Sequence, residues 1–444
     1  MRWIRRLSAS LDATAETIGG KAHGLVLLHR LGLPVPAGFV VTTEACREFL
    51  RDGGFPDGLA DELGKIDLGG AVSVRSGASV SMPGMMDTVL NVTGQLEPVV
   101  SAVFSSWNTP RARTYRELHD IPHDLGTAVI IQSMVRGDRD DHSGTGVAFS
   151  RDPNTGAAVP FGEVLFGHQG DAVVSGNSQT LPLGELADRE PAVWAGLLDA
   201  LSRIEAHYRD ACYVEFTYES GELWLLQVRP GRFVGAAAVR VAAELADEGT
   251  LSRVEALLRV SPRHLVHTPR MAAEKVLARG LGACPGVATG RVATTADLAV
   301  EMAADGPVIL VRPETSPHDM RGLAAAAGIV TARGGPASHA AVVARAMGKP
   351  AVVGVGGLIV GESAVVVGGN GLTGESAAVT VDGGTLITID GTTGEVALGA
   401  VPATTTAVDA HLDRLLAWAD DVSGDHTPRD EAERLSAAHA VLRR

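Results

Sequence analysis

Apolar residues fall in step along Lys21–Leu31, with Leu25, Leu28 and Leu31 at helical spacing and Gly32 placed to stop the helix. After a turn carrying Pro34 and Pro36 the pattern changes, and Phe39-Val-Val-Thr42 reads as a strand. Ala71-Val-Ser-Val-Arg75 alternates and reads as another, running into Ser76-Gly-Ala-Ser-Val-Ser-Met-Pro-Gly84, a loop of small residues. Ala128-Val-Ile-Ile-Gln-Ser-Met134 is a buried type of strand, and Tyr213–Thr217 with Leu223–Val228 predicts a hairpin turning at Glu219–Glu222. Residues 232–280 are rich in Ala, Leu, Arg and Glu at helical spacing, which predicts a helical linker. Leu281-Gly-Ala-Cys-Pro-Gly286 opens a new α/β unit, with strands near 290–293, 308–311, 328–331 and 351–355 and a helix beginning at His339. A strand and tight turn over 386–394 close it, 356–384 reads as short β elements and loops, and the last stretch as a polar helical tail. The expected division is 1–231, 232–280, 281–400 and 401–444, in an α/β (α+β) chain without internal repeats.

Composition narrows the function classes. A chain of 444 residues has room for two or three domains, each with a sizeable core. The formal net charge of −14 argues against a nucleic-acid partner, since nothing in it would attract phosphate backbones. Cys46, Cys212 and Cys284 are far apart, with neither metal-ligand spacing nor a disulfide framework, which fits a reducing compartment. Arg2, Arg5 and Arg6 are followed by no apolar run of signal-peptide type, and no stretch is long and apolar enough for a membrane span. The expected location is cytoplasmic.

The stretch Thr331-Ala-Arg-Gly-Gly-Pro-Ala-Ser-His339 holds the sharpest chemical signal. Gly334 and Gly335 allow a tight turn, Ser338 can cap the helix that follows, and the free N–H groups of that helix favour an anion beside His339. The same field disfavours imidazolium, so His339 is expected to stay neutral and nucleophilic near pH 7. A capping or surface histidine fits the same local pattern. The loop Ser76, Gly77, Ser79, Ser81, Gly84 has the small residues that let backbone N–H groups approach phosphates, although it is neither of the common glycine-rich phosphate motifs. Arg75 at the strand end could clamp phosphate oxygens, and Lys21 after Gly19-Gly20 could act as a point charge. Glu215 and Gln227 lie on the two arms of the hairpin, where a carboxylate and an amide oxygen can share one Mg²⁺, with Arg229 on the same face. A surface cross-strand pair is the other reading of those two residues. Together these features describe a cationic cradle for ATP and Mg²⁺ and a separate histidine that attacks a phosphoryl group.

The segments around these residues resemble the pyruvate phosphate dikinase and phosphoenolpyruvate synthase family over about residues 15–400. Gly19–Gly24, Val74–Thr88, Ser143–Pro153, Gly162–Gly170 and Glu215 through Arg229 look like its nucleotide-binding half. Leu310–Pro317 and Gly334–Ala341 look like its phosphohistidine domain. The resemblance implies an ATP-grasp domain, a linker and a swivelling histidine domain. Carried over, Lys21 and Arg75 hold the ATP phosphates, Glu215 and Gln227 bind Mg²⁺, Arg229 assists, and Gln132, Met134 and Val135 line the adenine. His339 becomes a transient phosphoryl carrier, ATP is cleaved to AMP, and the γ group leaves to phosphate or water.

Three departures from the family pattern bear on function. The family's pyruvate-binding barrel needs about 250 residues, and the stretch after residue 400 is far shorter. Tyr213 stands where the dikinases have an aspartate, and Pro336-Ala337 replaces Met-Thr, so the regulatory threonine of dikinases has no counterpart at Ala337. The expected activity is therefore a dikinase-type phosphotransferase whose acceptor, pyruvate or another small molecule, is presented by a separate protein. The alternatives are a stand-alone antibiotic or metabolite phosphotransferase, as the related rifampicin phosphotransferases suggest, and a non-catalytic nucleotide-binding regulator.

Overall fold

A computed structural model describes the chain apart from residues 83, 171–179, 232, 266–269, 274, 337, 369–377, 405–409 and 444. Two antiparallel five-stranded sheets organise the first half. In the first, Ala128–Ser133 lies between Gly38–Val41 and Val72–Gly77, with Ile4–Arg6 and Thr88–Val92 at the edges. The central strand is apolar on both faces because both faces are covered. Ile130 packs with Leu25 and Leu28 of the helix Ala15–Arg30, while Val129 and Ile131 pack with Val103, Phe104 and Trp3 on the other side. The second sheet runs Glu222–Pro230, Cys212–Glu219, Gly144–Phe149, Phe161–Phe166 and Leu181–Pro182. Its Val214, Phe216 and Leu225 join the cluster under the helix Ala15–Arg30, so that helix sits between the two sheets.

The expected strand Ala71–Arg75 extends farther than its alternation shows. It spans Val72–Gly77, so Ser76 and Gly77 belong to the ladder, opposite Val129 and Ala128. The Gly77 N–H is taken by Thr127 Oγ1 at 3.1 Å and is not free to meet a phosphate.

The helical reading of 232–280 holds over Gly235–Asp247 and Arg253–Arg259, after which the chain is not helical in the expected way. Arg270–Met271 and Ala278–Arg279 are strands, paired with Ala403–Thr404 and with Glu395–Leu398. Nor are the last residues a separate polar tail. The helices Ala410–Ser423 and Glu431–Leu442 turn Leu412, Leu415, Leu416, Ala419 and Leu435 onto Leu245 and Leu257, making one helical unit from both ends of the second half. Their polar composition hides a stripe of apolar residues at helical spacing. Arg151, 3% exposed in its side chain, ties this unit to the sheets through Glu205, Glu244 and Glu248.

Between those helices lies an eight-stranded sheet. Its centre is parallel, with Val287–Ala293, Val308–Arg312, Gly328–Thr331 and Ala351–Val353 side by side. The crossovers are the helices Ala296–Ala303, Met320–Ala325 and His339–Met347. A three-stranded sheet, Leu358–Val360, Ala364–Val367 and Val379–Asp382, covers the other face through Val365, Val367 and Val381. The short β elements expected over 356–384 are therefore present on either side of 369–377, which lies outside the described residues.

Candidate active site

The two glycines before Lys21 let two segments meet. Gly19 has φ +75°, and a Cβ there would fall 1.5 Å from the Gly77 carbonyl oxygen. The Gly20 N–H then donates to Ala78 O at 2.9 Å. This close approach sets Lys21 beside Arg75, and the price of two like charges shows: burial, then Arg75, pulls the Lys21 ammonium down to about 8, against the opposing pull of Glu215. Arg75 is itself lowered by burial and partly restored by Glu215.

Glu215 and Gln227 face each other in register on the hairpin, next to a bulge between Leu225 and Gln227. Arg229 lies opposite Tyr213, its guanidinium 4.2 Å from the centre of the phenol ring. Tyr213 is buried, and its hydroxyl donates to Glu215 Oε1 at 3.3 Å. Burial pushes the phenol far above its usual range, with Glu215 adding to the effect, so it stays neutral.

Gln132, expected with Met134 and Val135 along the adenine, has both ends of its amide engaged within the protein. Its Oε1 accepts from Arg75 at 2.6 Å and its Nε2 donates to Pro36 O at 2.9 Å, so the amide is committed to orienting Arg75. Met134 and Val135 follow that strand and are half-buried. In the small-residue loop, Ser79 is half-buried and Ser81 exposed, while the far end reaches the histidine. A Cβ on Gly84 would lie 3.5 Å from His339 Cδ2 and 4.0 Å from Nε2.

His339 is the first residue of its helix, and Ser338 Oγ accepts from the Ala341 N–H at 3.4 Å as the cap. Thr315 Oγ1 stands 3.1 Å from Nδ1, and buried Nε2 has no hydrogen-bond partner. Burial brings the imidazole down to about 4, with Asp319 pulling the other way. The neutral state expected from the helix field is thus present for a different first reason, desolvation. Ala337 lies outside the described residues.

Three residues without an assigned role in the sequence reading complete the site. Thr315 lies 24 positions before His339, within the segment Leu310–Pro317. Glu163 is 3% exposed, with neither carboxylate oxygen in an ordinary hydrogen bond, and its carboxylate rests against the Gly334-Gly335 turn. A Cβ on Gly335 would lie 1.1 Å from Glu163 Oε1, so any side chain there would have to displace that carboxylate. Burial raises this carboxyl to about 7, with Thr180 and Arg345 holding it down. Arg345, on the histidine helix, reaches the same region, its guanidinium 5.6 Å from the Phe149 ring centre.

Comparison with known families fits this layout. Residues 15–70 and 60–180 match the pyruvate phosphate dikinase AMP/ATP-binding domain, and 304–394 match the mobile domain of PEP-utilising enzymes. The chain belongs to the pyruvate phosphate dikinase family. It is 35% identical over 519 residues to a pyruvate, phosphate dikinase 2 of Oryza sativa subsp. japonica, covering 92% of this chain and 58% of the relative. It is 34% identical to the pyruvate, phosphate dikinase of Rhizobium meliloti, covering 99% and 62%, and 33% identical to that of Clostridium symbiosum, covering 94% and 60%. The chain spans about three fifths of the length of these curated relatives. The nucleotide-binding half is the ATP-grasp-like part of this dikinase fold, and the eight-stranded unit carries the mobile domain.

For Mg²⁺ the fit is partial but adequate. Among the described residues no group of three acidic, histidine or cysteine side chains is placed to hold a metal. One carboxylate and one amide, Glu215 and Gln227, suffice for Mg²⁺ when nucleotide phosphates supply the remaining oxygens. The phenol of Tyr213 takes up one lone pair of Glu215.

Proposed function

We propose that this chain is an ATP-dependent phosphotransferase of the dikinase type, cleaving ATP to AMP and passing phosphate through His339 to pyruvate or another small acceptor. The observation that carries this reading is the bare, neutral Nε2 of His339 beside Gly84, at the far end of the loop that follows the Arg75 strand Val72–Gly77. Lys21, Arg75 and Arg229 would neutralise the triphosphate, and Gln132 would hold Arg75 in place. Mg²⁺ held by Glu215 and Gln227 would add charge neutralisation at the phosphates. The Nε2 lone pair would bond to the β phosphorus as the α–β bridging bond breaks and AMP leaves. The γ group would then pass to phosphate or water, and the remaining phosphoryl to the acceptor.

As part of this proposal, the acceptor is presented to His339 by a separate protein. No helix among the described residues is long and apolar enough to cross a membrane, and the three cysteines are buried and free, in keeping with a cytoplasmic, reducing setting. A second reading, a nucleotide-binding regulator without catalysis, draws on one observation, the Tyr213 hydroxyl occupying Glu215.

Incubation with Mg²⁺ and [β-³²P]ATP tests the choice. The expected result is acid-labile, base-stable label with release of AMP, both lost in His339→Ala. ATP binding without any label on the wild-type chain would establish the regulator instead.

A further inference from the structure

Cations outnumber anions where the two halves meet. Lys21, Arg75 and Arg229 come from the nucleotide-binding half, and Arg345 arrives from the other side on the helix His339–Met347. Their anionic company is Glu215 and Glu163, and Glu163 is half neutral near pH 7. Arg345 is lowered to about 10, first by burial and more weakly by Arg229, with Cys284 and then Tyr213 and Glu163 opposing. Like charges are not gathered out of water without an anion to receive them.

Arg345 is also braced toward this place. Nη1 donates to Ala283 O at 3.0 Å and Nη2 to Pro336 O at 2.5 Å, in the turn that leads to His339. A guanidinium has five N–H groups, so these two bonds leave donors for a ligand. Arg345 follows His339 by six residues, about 9 Å along the helix axis. The same helix thus bears His339 at its start and, on another face, Arg345, whose electrostatic neighbours include Arg229 and Tyr213 of the nucleotide-binding half.

We propose that Arg345 is a catalytic residue of the first transfer, a guanidinium that the docked histidine domain adds to the phosphate site. This rests on His339 as the phosphoryl carrier. Arg345 stays protonated and moves no proton. It neutralises charge on the transferring phosphoryl while Nε2 bonds to the β phosphorus and AMP departs. The consequence is economy: without the docked domain the nucleotide site has three cations, holds ATP and does not spend it.

The test uses the full chain with Arg345→Ala and Arg345→Lys. ATP affinity, measured by equilibrium binding, should stay within about threefold, because the other three cations remain. Single-turnover labelling of His339 from [β-³²P]ATP should fall about 10³-fold in Arg345→Ala, the lower end for arginine groups of this kind. Arg345→Lys should recover little, and added guanidinium ion part, of the loss. Labelling of His339 by phosphoramidate, a donor that needs no nucleotide site, should be unchanged. Two results overturn the inference: wild-type labelling rates in Arg345→Ala, or parallel loss of ATP and phosphoramidate labelling, which would make Arg345 only a brace for the Pro336 turn. Absence of ATP labelling in the wild type would remove the carrier reading and this inference with it.

Discussion

Thr315 Oγ1 lies 3.1 Å from His339 Nδ1, and the opposite ring nitrogen is bare. If Nδ1–H donates to the hydroxyl, the lone pair of the neutral ring stands on Nε2, facing Gly84. Thr315→Val keeps the shape and removes the acceptor. Loss of a hydrogen bond worth about 1.5 kcal/mol corresponds to roughly tenfold slower labelling of His339. Single-turnover kinetics and phosphorus–nitrogen NMR of the labelled chain check the rate and the site, and phosphate on Nδ1 would contradict the assignment.

The depressed titration of His339 sets a pH window. An ordinary histidine loses its nucleophilic form below about 6.5, whereas His339 keeps it down to about 4. Labelling should therefore show no histidine-dependent decline between pH 7 and 5. The stability effect has the opposite face: the unfolded ring takes up its proton first, so stability is lost as pH falls from 6.5 toward 4. The full loss is on the order of 3 kcal/mol. His339→Asn should flatten the dependence of Tm on pH across that interval.

Glu163 acts in the other direction. Its carboxyl is raised to about 7, so the contact with the Gly334-Gly335 turn is at full strength below about 4.5 and weakens as pH rises through 7. Arg345, which faces it, limits the loss. Glu163→Gln fixes a neutral group at every pH. Corrected for the intrinsic pH dependence of amide exchange, protection of the 334–341 segment should fall from pH 5 to 8 in the wild type and much less in the variant.

A side chain at Gly335 must push the Glu163 carboxylate aside. Gly335→Ala puts a methyl into the Glu163 carboxylate and should slow labelling from ATP by about 10²-fold, the cost of a 1 Å misplacement. ATP affinity should not change. Glu163→Ala in the same chain makes room and should restore part of the rate, an outcome that a simple folding defect at Gly335 would not give.

Gly19→Ala tests the other close approach. The residue has a left-handed backbone, and its Cβ would strike the Gly77 carbonyl. The strain of about 1–3 kcal/mol should appear as a lower denaturation midpoint and, because Lys21 is displaced from Arg75, as weaker ATP binding. Gly53→Ala, also at positive φ but with open space around it, is the control and should leave ATP binding unchanged.

What was legible in the sequence was mostly local. The hairpin placing Glu215 opposite Gln227 follows from two apolar runs and a turn, and the helix at His339 from a capping serine and a glycine pair. Ser76 and Gly77 read as loop because small residues pair in a ladder without leaving a hydrophobic signature. Nothing near Gln132 in sequence reveals that Arg75 and Pro36 take its amide, because both partners come from distant segments. Thr315 with His339, Glu163 with Gly335, and Arg345 with Tyr213 and Arg229 are all products of tertiary packing. No periodicity records them.

The histidine domain leaves the helical unit after Arg253–Arg259 and returns to it at Ala410–Ser423, with Arg270–Met271 paired to Ala403–Thr404 on the way. It is an insertion held on two tethers. If the proposed chemistry holds, His339 would meet ATP of its own chain at an effective concentration set by the tethers and not by the amount of protein in solution. On the proposed chemistry, dilution would leave the loading of His339 untouched and slow only its unloading onto a separate acceptor.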